Sequence, residues 1–239
     1  MENELFVALA DDLEQLIRLH DRELEEALLG ALRVADFPYG LALPPDGEEG
    51  LAAYANMADA LNDAVSLDEL AADFAAIYLN NSLSASPYES VWLSDDHLAC
   101  AAPMFELREL YAAARLQVAD WRNRFDDHFV LQLQYLRHIL VDPAINLKSA
   151  AGFIDEHIGY WFPVFAQRVS MQCDTRFYAA LVELTHVWLL RFRRLLDEVY
   201  ELPIPSREQM AERINRKLVL DKAEVAPIRF MPGASGPSW

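Results

Sequence analysis

Between residues 175 and 199 the chain sets Phe177, Leu181, Leu184, Trp188, Phe192 and Leu195 at steps of three or four. That spacing places all six on one narrow face of a long helix. An apolar face of this length needs other helices to cover it. The rest of the chain supplies candidates. Leu5, Leu9, Leu13, Leu16, Ile17, Leu24 and Leu28 recur at helical spacing near the N-terminus, with acids between them. Phe129, Leu133, Leu136 and Leu140 make a second clean stripe, and Met104, Leu107, Leu110, Tyr111, Ala114 and Val118 a third.

Further helices are predicted over 48–63 and 66–79. Ser66 opens the second of these, with Glu69 three residues on in the capping-box position. Ser94, Asp95 and Asp96 are expected to cap a helix from about His97, which Pro103 interrupts or restarts. Residues 146–172 read as one or two aromatic-rich helices, and Ser206 as the cap of a short basic helix. Proline, glycine and asparagine clusters such as "DFPYGLALPPDGEEG" and "VDPAIN" separate these segments. No internal repeat, low-complexity tract or strand pattern is present. The expected fold class is all-α, a single-core helical bundle of about nine or ten helices.

Charge narrows the partners. Twenty basic residues face 38 acidic ones, a net charge of −18. Such a surface disfavours nucleic acid and anionic membranes and attracts a basic peptide; it also simply keeps a protein soluble. From Leu202 to Trp239 there are six basic and four acidic residues, +2, so residues 1–201 carry −20. Two cysteines, Cys100 and Cys173, make neither a disulfide framework nor a zinc site, and read as small buried residues of a reduced, cytosolic protein. The opening "MENELFVALADDLEQL" has no signal-peptide pattern, and no 18-residue run is free of charge, so no stable membrane insertion is expected.

Catalytic patterns are sparse. No Gly-rich phosphate loop and no G-x-S-x-G elbow occurs. Glu183 and His186 form one E-x-x-H, but helical di-iron sites need two, with two more glutamates. On a helical wheel both point away from the Phe177–Trp188 face, toward solvent. Asp126 or Asp127 is placed to cap the helix after it, which puts His128 in the first turn, where the helix dipole disfavours its charged form. No catalytic residue, metal site or cofactor is expected.

Two segments carry a resemblance. A helix end with Asp73, Phe74, Ile77 and Tyr78 precedes "SPYESVWL" at Ser86–Leu93, and "DDHFVLQLQYL" follows after about thirty residues. This order resembles the TorD/DmsD/NarJ family of redox-enzyme maturation chaperones. Its first motif matches almost letter for letter, and its second at Asp127, His128, Leu133 and Leu136. The family's Glu-Pro ahead of Asp-His falls on Arg124-Phe125, and its helix glutamate on Gln132.

The resemblance implies a cytoplasmic, non-enzymatic chaperone that binds the twin-arginine signal peptide, the apo form, or both, of a molybdenum-cofactor oxidoreductase. Such a chaperone holds export back until the cofactor is inserted. It implies a TorD-like domain over 1–200 with a hinge near 121–127, then a basic helix and extended tail over 201–239, in a monomer or domain-swapped dimer. Signal-peptide contacts then fall on Pro87, Tyr88, Glu89, Ser90, Trp92, Asp126, Asp127 and His128. The aromatics would anchor the apolar stretch and the carboxylates would take guanidinium groups. Tyr88, Glu89, Trp92, Asp127 and His128 are expected to line a common groove; the same motif residues are also explained as core plugs and local caps. Two alternatives stay open: an adaptor that binds a mature molybdoenzyme subunit independently of the signal peptide, and a metal-dependent helical enzyme using Glu183, His186 and the Asp-His pair.

Overall fold

The computed structural model describes residues 2–93, 97–142 and 144–224, with side chains described from 4 to 215 within those ranges. In chain order the helices are α1 (Glu2–Asp21), α2 (Glu26–Val34), α3 (Gly47–Leu61), α4 (Leu67–Phe74), α5 (Glu89–Leu93), α6 (Ala102–Ala113), α7 (Phe129–Val141), α8 (Lys148–Phe153), α9 (Phe162–Gln172), α10 (Arg176–Tyr200) and α11 (Arg207–Glu224). Two π-helical turns, Ala75–Leu79 and Ile154–Ile158, continue α4 and α8. The fold is all-α: among the described residues the only β pairing is one isolated bridge, Tyr88 to His128. The one-turn helices α5 and α8 bring the number of α-helices among the described residues to eleven, above the nine or ten read from periodicity.

Helix α10 is the axis of the core and packs on α3 and α9, while α1 packs on α7. Its burial is wider than one narrow face. Tyr178, Val182, Thr185 and Leu189 are buried as well as Phe177, Leu181, Leu184, Trp188 and Phe192, because neighbours cover it on more than one side. On α7, Phe129, Leu133 and Leu136 are fully buried, and Phe129 stacks on Phe162 at 4.1 Å between ring centres. Each such side chain contributes roughly 1.5–3 kcal/mol by leaving water.

The N-terminal stripe is two helices. Helix α1 ends at Asp21 and α2 begins after Glu25, whose backbone is extended. Twenty residues of helix already span about 30 Å, the width of a small domain. The chain must turn there to keep Leu24 and Leu29 in the core, where both are buried. The Ser66–Glu69 capping box is present on α4 in full. Ser94–Asp96 lie outside the described residues. His97 has a left-handed backbone, and the next helix starts at Ala102 with Pro103 in its first turn. The helix expected from His97 therefore starts later, at a position where proline loses no backbone bond.

Buried polar groups tie the layers together. His20 on α1 accepts from the Tyr78 hydroxyl at Nδ1, and its Nε2 lies 2.8 Å from Thr185 Oγ1 on α10. Thr185 donates its own proton to Leu181 O, so His20 Nε2–H must be the donor to Thr185. Burial pushes the His20 pKa down to about 3, which keeps this network neutral. Cys173 is half-buried but Cys100 is exposed, with its Sγ 3.4 Å from Met104 Sδ, so only Cys173 approaches the burial expected of both. No helix among the described residues is long and apolar enough to cross a membrane.

Candidate functional site

The backbone itself joins the two motifs. Phe129 N donates to Pro87 O at 2.8 Å and Glu89 N to Asp127 O at 3.1 Å, which makes the Tyr88–His128 bridge. Pro87 and Tyr88 lie outside any helix, and the chain turns helical at Glu89. Asp127 Oδ2 accepts from Ser90 N at 2.9 Å and so holds the start of α5 across the bridge.

That geometry corrects the expected helix cap. The cap of α7 is His128, whose Nδ1 accepts from Val130 N at 3.1 Å. Asp127 is turned toward Ser90 instead, and Asp126 is paired with Arg108 on α6 at 2.8 and 3.1 Å. An Nδ1 that accepts must carry no proton. Burial, then the positive charge of Arg124, hold the His128 pKa well below the ordinary histidine range. Asp127 titrates above the ordinary aspartate range because it is buried, although its bonds to Ser90 pull the other way.

Tyr88 and His128 open onto the largest cleft described, about 850 Å³. Its walls are the end of α1 (Asp21, Arg22), the first π-turn (Tyr78, Leu79), the connection after α6 (Leu116, Val118, Asp120, Arg124) and α7 (Leu131, Tyr135, His138). Tyr111 of α6 joins them. The Tyr88 ring meets His128 edge-on at 5.0 Å and is half-buried. Arg124 is ion-paired to Asp21, which ties the outer wall to α1.

Glu89 does not line this cleft. It is 1% exposed and lines a small gap with Leu93, Pro103, Glu106, Asp155, Glu156 and residues of α11. Its carboxylate accepts from Gln132 Nε2 and lies 3.3 Å from His157 Nδ1 through both oxygens. Burial, only partly offset by His157, pushes its pKa up to about 7. Trp92 is half-buried outside both spaces: its indole N–H donates to Ser86 O at 2.8 Å, its ring lies parallel to Trp161 at 6.5 Å, and Arg168 sits over it at 4.9 Å.

The structure therefore brings the predicted segments together but not as a single groove. Tyr88 and His128 share the cleft, Glu89 lines a separate small gap, and Trp92 and Asp127 line neither. Pro87, Ser90, Asp126 and Asp127 are buried. Tyr78 was visible in the D-F-x-x-I-Y helix end; Tyr111, Tyr135 and Arg124 carried no signal of their own. Glu183 and His186 are half-buried in a shallow groove between α3, α9 and α10. They are more enclosed than the solvated surface expected, and burial lowers the His186 pKa.

A sequence model of the family described as "Nitrate reductase delta subunit" matches residues 44–167, more than half of the chain and all of both motifs. The chain belongs to this family. Among curated proteins it is 30% identical over 143 residues to "Chaperone protein TorD" of Vibrio cholerae serotype O1 (strain ATCC 39541 / Classical Ogawa 395 / O395), a match covering 56% of this chain and 64% of that protein. A protein of the same name from Shewanella oneidensis is 32% identical over 156 residues, 60% of this chain and 70% of its own. One from Shewanella sp. (strain ANA-3) is 28% identical over 195 residues, 77% and 91%. The chain thus spans a little under two thirds of the Vibrio relative's length. All three of these relatives are named as chaperones.

Proposed function

We propose that this protein is a cytoplasmic maturation chaperone for a molybdenum-cofactor oxidoreductase. On this reading it binds the client's twin-arginine signal peptide, its apo form, or both, and holds export back until the cofactor is in place. The observation that carries the reading is the Tyr88–His128 bridge, which sets both family motifs at the mouth of the 850 Å³ cleft.

The cleft suits the apolar stretch of a signal peptide. Tyr78, Tyr88, Tyr111 and Tyr135 offer rigid rings, and Leu79, Leu116 and Leu131 aliphatic surface. The net charge of −18 suits the arginines by raising the encounter rate. Among the motif residues, Tyr88 is assigned to contact, over the buried His128 at the floor of the cleft. Pro87, Glu89, Ser90, Asp126 and Asp127 hold the two segments in register, and Trp92 braces the outside. The burial of those five favours a second reading, an adaptor that grips a mature subunit and ignores the signal. Calorimetry separates the two. A synthetic twin-arginine signal peptide of the client is expected to bind with about micromolar affinity or better, near −8 kcal/mol. Equal affinity after both arginines are changed to glutamine would favour the adaptor.

A further inference from the structure

Helix α11 lies against the second π-turn, over the gap that the buried Glu89 lines. Its contacts fall on one face, a turn apart. Arg207 sits over the Tyr160 ring at 5.0 Å. Met210 lies beside Gly159, where an added Cβ would come within 3.8 Å of its sulfur. Arg213 and Ile214 close the gap lined by Glu89, Glu106, Asp155 and Glu156. Beneath them is room for about 20 Å³, roughly one water. The half-buried Glu106 and the exposed Glu156, with the apolar sides of Leu93 and Pro103, thus form a seat over the buried Glu89 and Asp155, and the chain's own arginine and two apolar side chains fill it.

The occupant is loosely held. Arg207 and Arg213 are exposed, and Met210 and Ile214 only half-buried. Residues 207–218 carry four basic and two acidic residues, +2, against −20 on residues 1–201. The attraction is therefore mostly charge on a surface where water competes.

We propose that α11 is an internal, displaceable occupant of a peptide seat whose external ligand is a basic segment with apolar residues beside its arginines. The client's twin-arginine motif has that chemistry; this assignment of the ligand rests on the function proposed above. The seat is distinct from the Tyr88 cleft, so a peptide can place its arginines at Glu106 and Glu156 only after α11 leaves. If α11 is seated nine-tenths of the time or more, it lowers apparent affinity by about tenfold or more.

The test uses the full chain and a fluorescent synthetic peptide of residues 206–218 as probe. Because both arginines are exposed, the Arg207→Ala/Arg213→Ala variant keeps its core, which thermal unfolding verifies. The probe should bind that variant at least about tenfold more tightly than the parent. Adding Glu106→Gln and Glu156→Gln should remove the gain. Equal affinity for variant and parent, or binding to neither, overturns the proposal. A twin-arginine peptide that displaces the probe supports the assigned ligand. One that binds without displacing it overturns that assignment and leaves the chaperone function standing. One that fails to bind while the probe still prefers the variant leaves the seat in place and counts against signal-peptide recognition.

Discussion

At the residue scale, three buried aspartates perform one task. Asp12 accepts from the backbone of Ala42 and Leu43 and from the Trp188 indole, Asp73 from the backbone of Asp174 and Thr175, and Asp127 from Ser90 N. Each anchors backbone N–H groups of a segment far away in sequence, which would otherwise be buried without a partner. Asp127→Asn keeps an oxygen toward Ser90 and should cost under about 1 kcal/mol, whereas Asp127→Ala should cost about 1–3 kcal/mol in urea unfolding. Glu89 makes a different prediction. Its folded pKa of about 7 lies above the ordinary 4.5, so the folded state keeps a proton that the unfolded chain has lost. Its contribution to stability is full below about pH 4.5, falls as pH rises, and is gone above about pH 7, a change of up to roughly 3 kcal/mol. Glu89→Gln should therefore gain on the parent between pH 5 and pH 8; parallel stability curves would show that His157 compensates the charge. At the cleft, Tyr88→Ala should weaken signal-peptide binding by at least about tenfold, near 1.4 kcal/mol. Trp92→Ala, whose ring lies against Trp161 and outside the cleft, should lower stability and leave binding unchanged.

At the element scale, the weight falls on helix ends and π-turns. Thr175 makes no side-chain cap for α10; Asp73, from the end of α4, instead holds the backbone N–H groups of Asp174 and Thr175 just ahead of the helix. The second π-turn buries Asp155 and His157 together, one facing Arg193 and the other Glu89. Arg193 pairs with Asp155 at 2.8 and 2.9 Å and also donates to Leu202 O and Pro203 O at 3.0 and 3.1 Å. It therefore fixes both the π-turn and the chain leading to α11. Removing one partner of a buried ion pair strands the other, so Arg193→Met should destabilise by about 3–5 kcal/mol. The double variant Arg193→Met/Asp155→Leu should recover part of that loss in denaturant unfolding. Additive losses would mean the pair contributes only through packing.

At the scale of the whole molecule, charge acts at long range. The −20 on residues 1–201 should draw a twin-arginine peptide in, and salt screens that attraction over about 10 Å at 0.1 M. Calorimetry at two ionic strengths should show weaker but not abolished binding, because the apolar walls of the cleft are indifferent to salt. An affinity independent of salt would remove electrostatics from the recognition.

The helices themselves were legible in the sequence: the Ser66–Glu69 box, the start of α7 two residues after Asp127, and nearly the full length of α10. These depend on steps of three and four residues and on caps, which are local. The pairing of Ser86–Leu93 with Asp127–Leu136 was legible only through resemblance, since some 35 residues separate them. Tertiary structure alone decided which way each side chain faces. Because α5 is a single turn starting at the Tyr88–His128 bridge, Tyr88 lines the cleft while the next residue, Glu89, opens beneath α11. The turn after Asp21 and the buried anchoring by Asp12, Asp73 and Asp127 likewise came from packing. An acid on a helical wheel reads as solvent-facing until a distant backbone N–H needs its oxygen, and no local spacing encodes that distance.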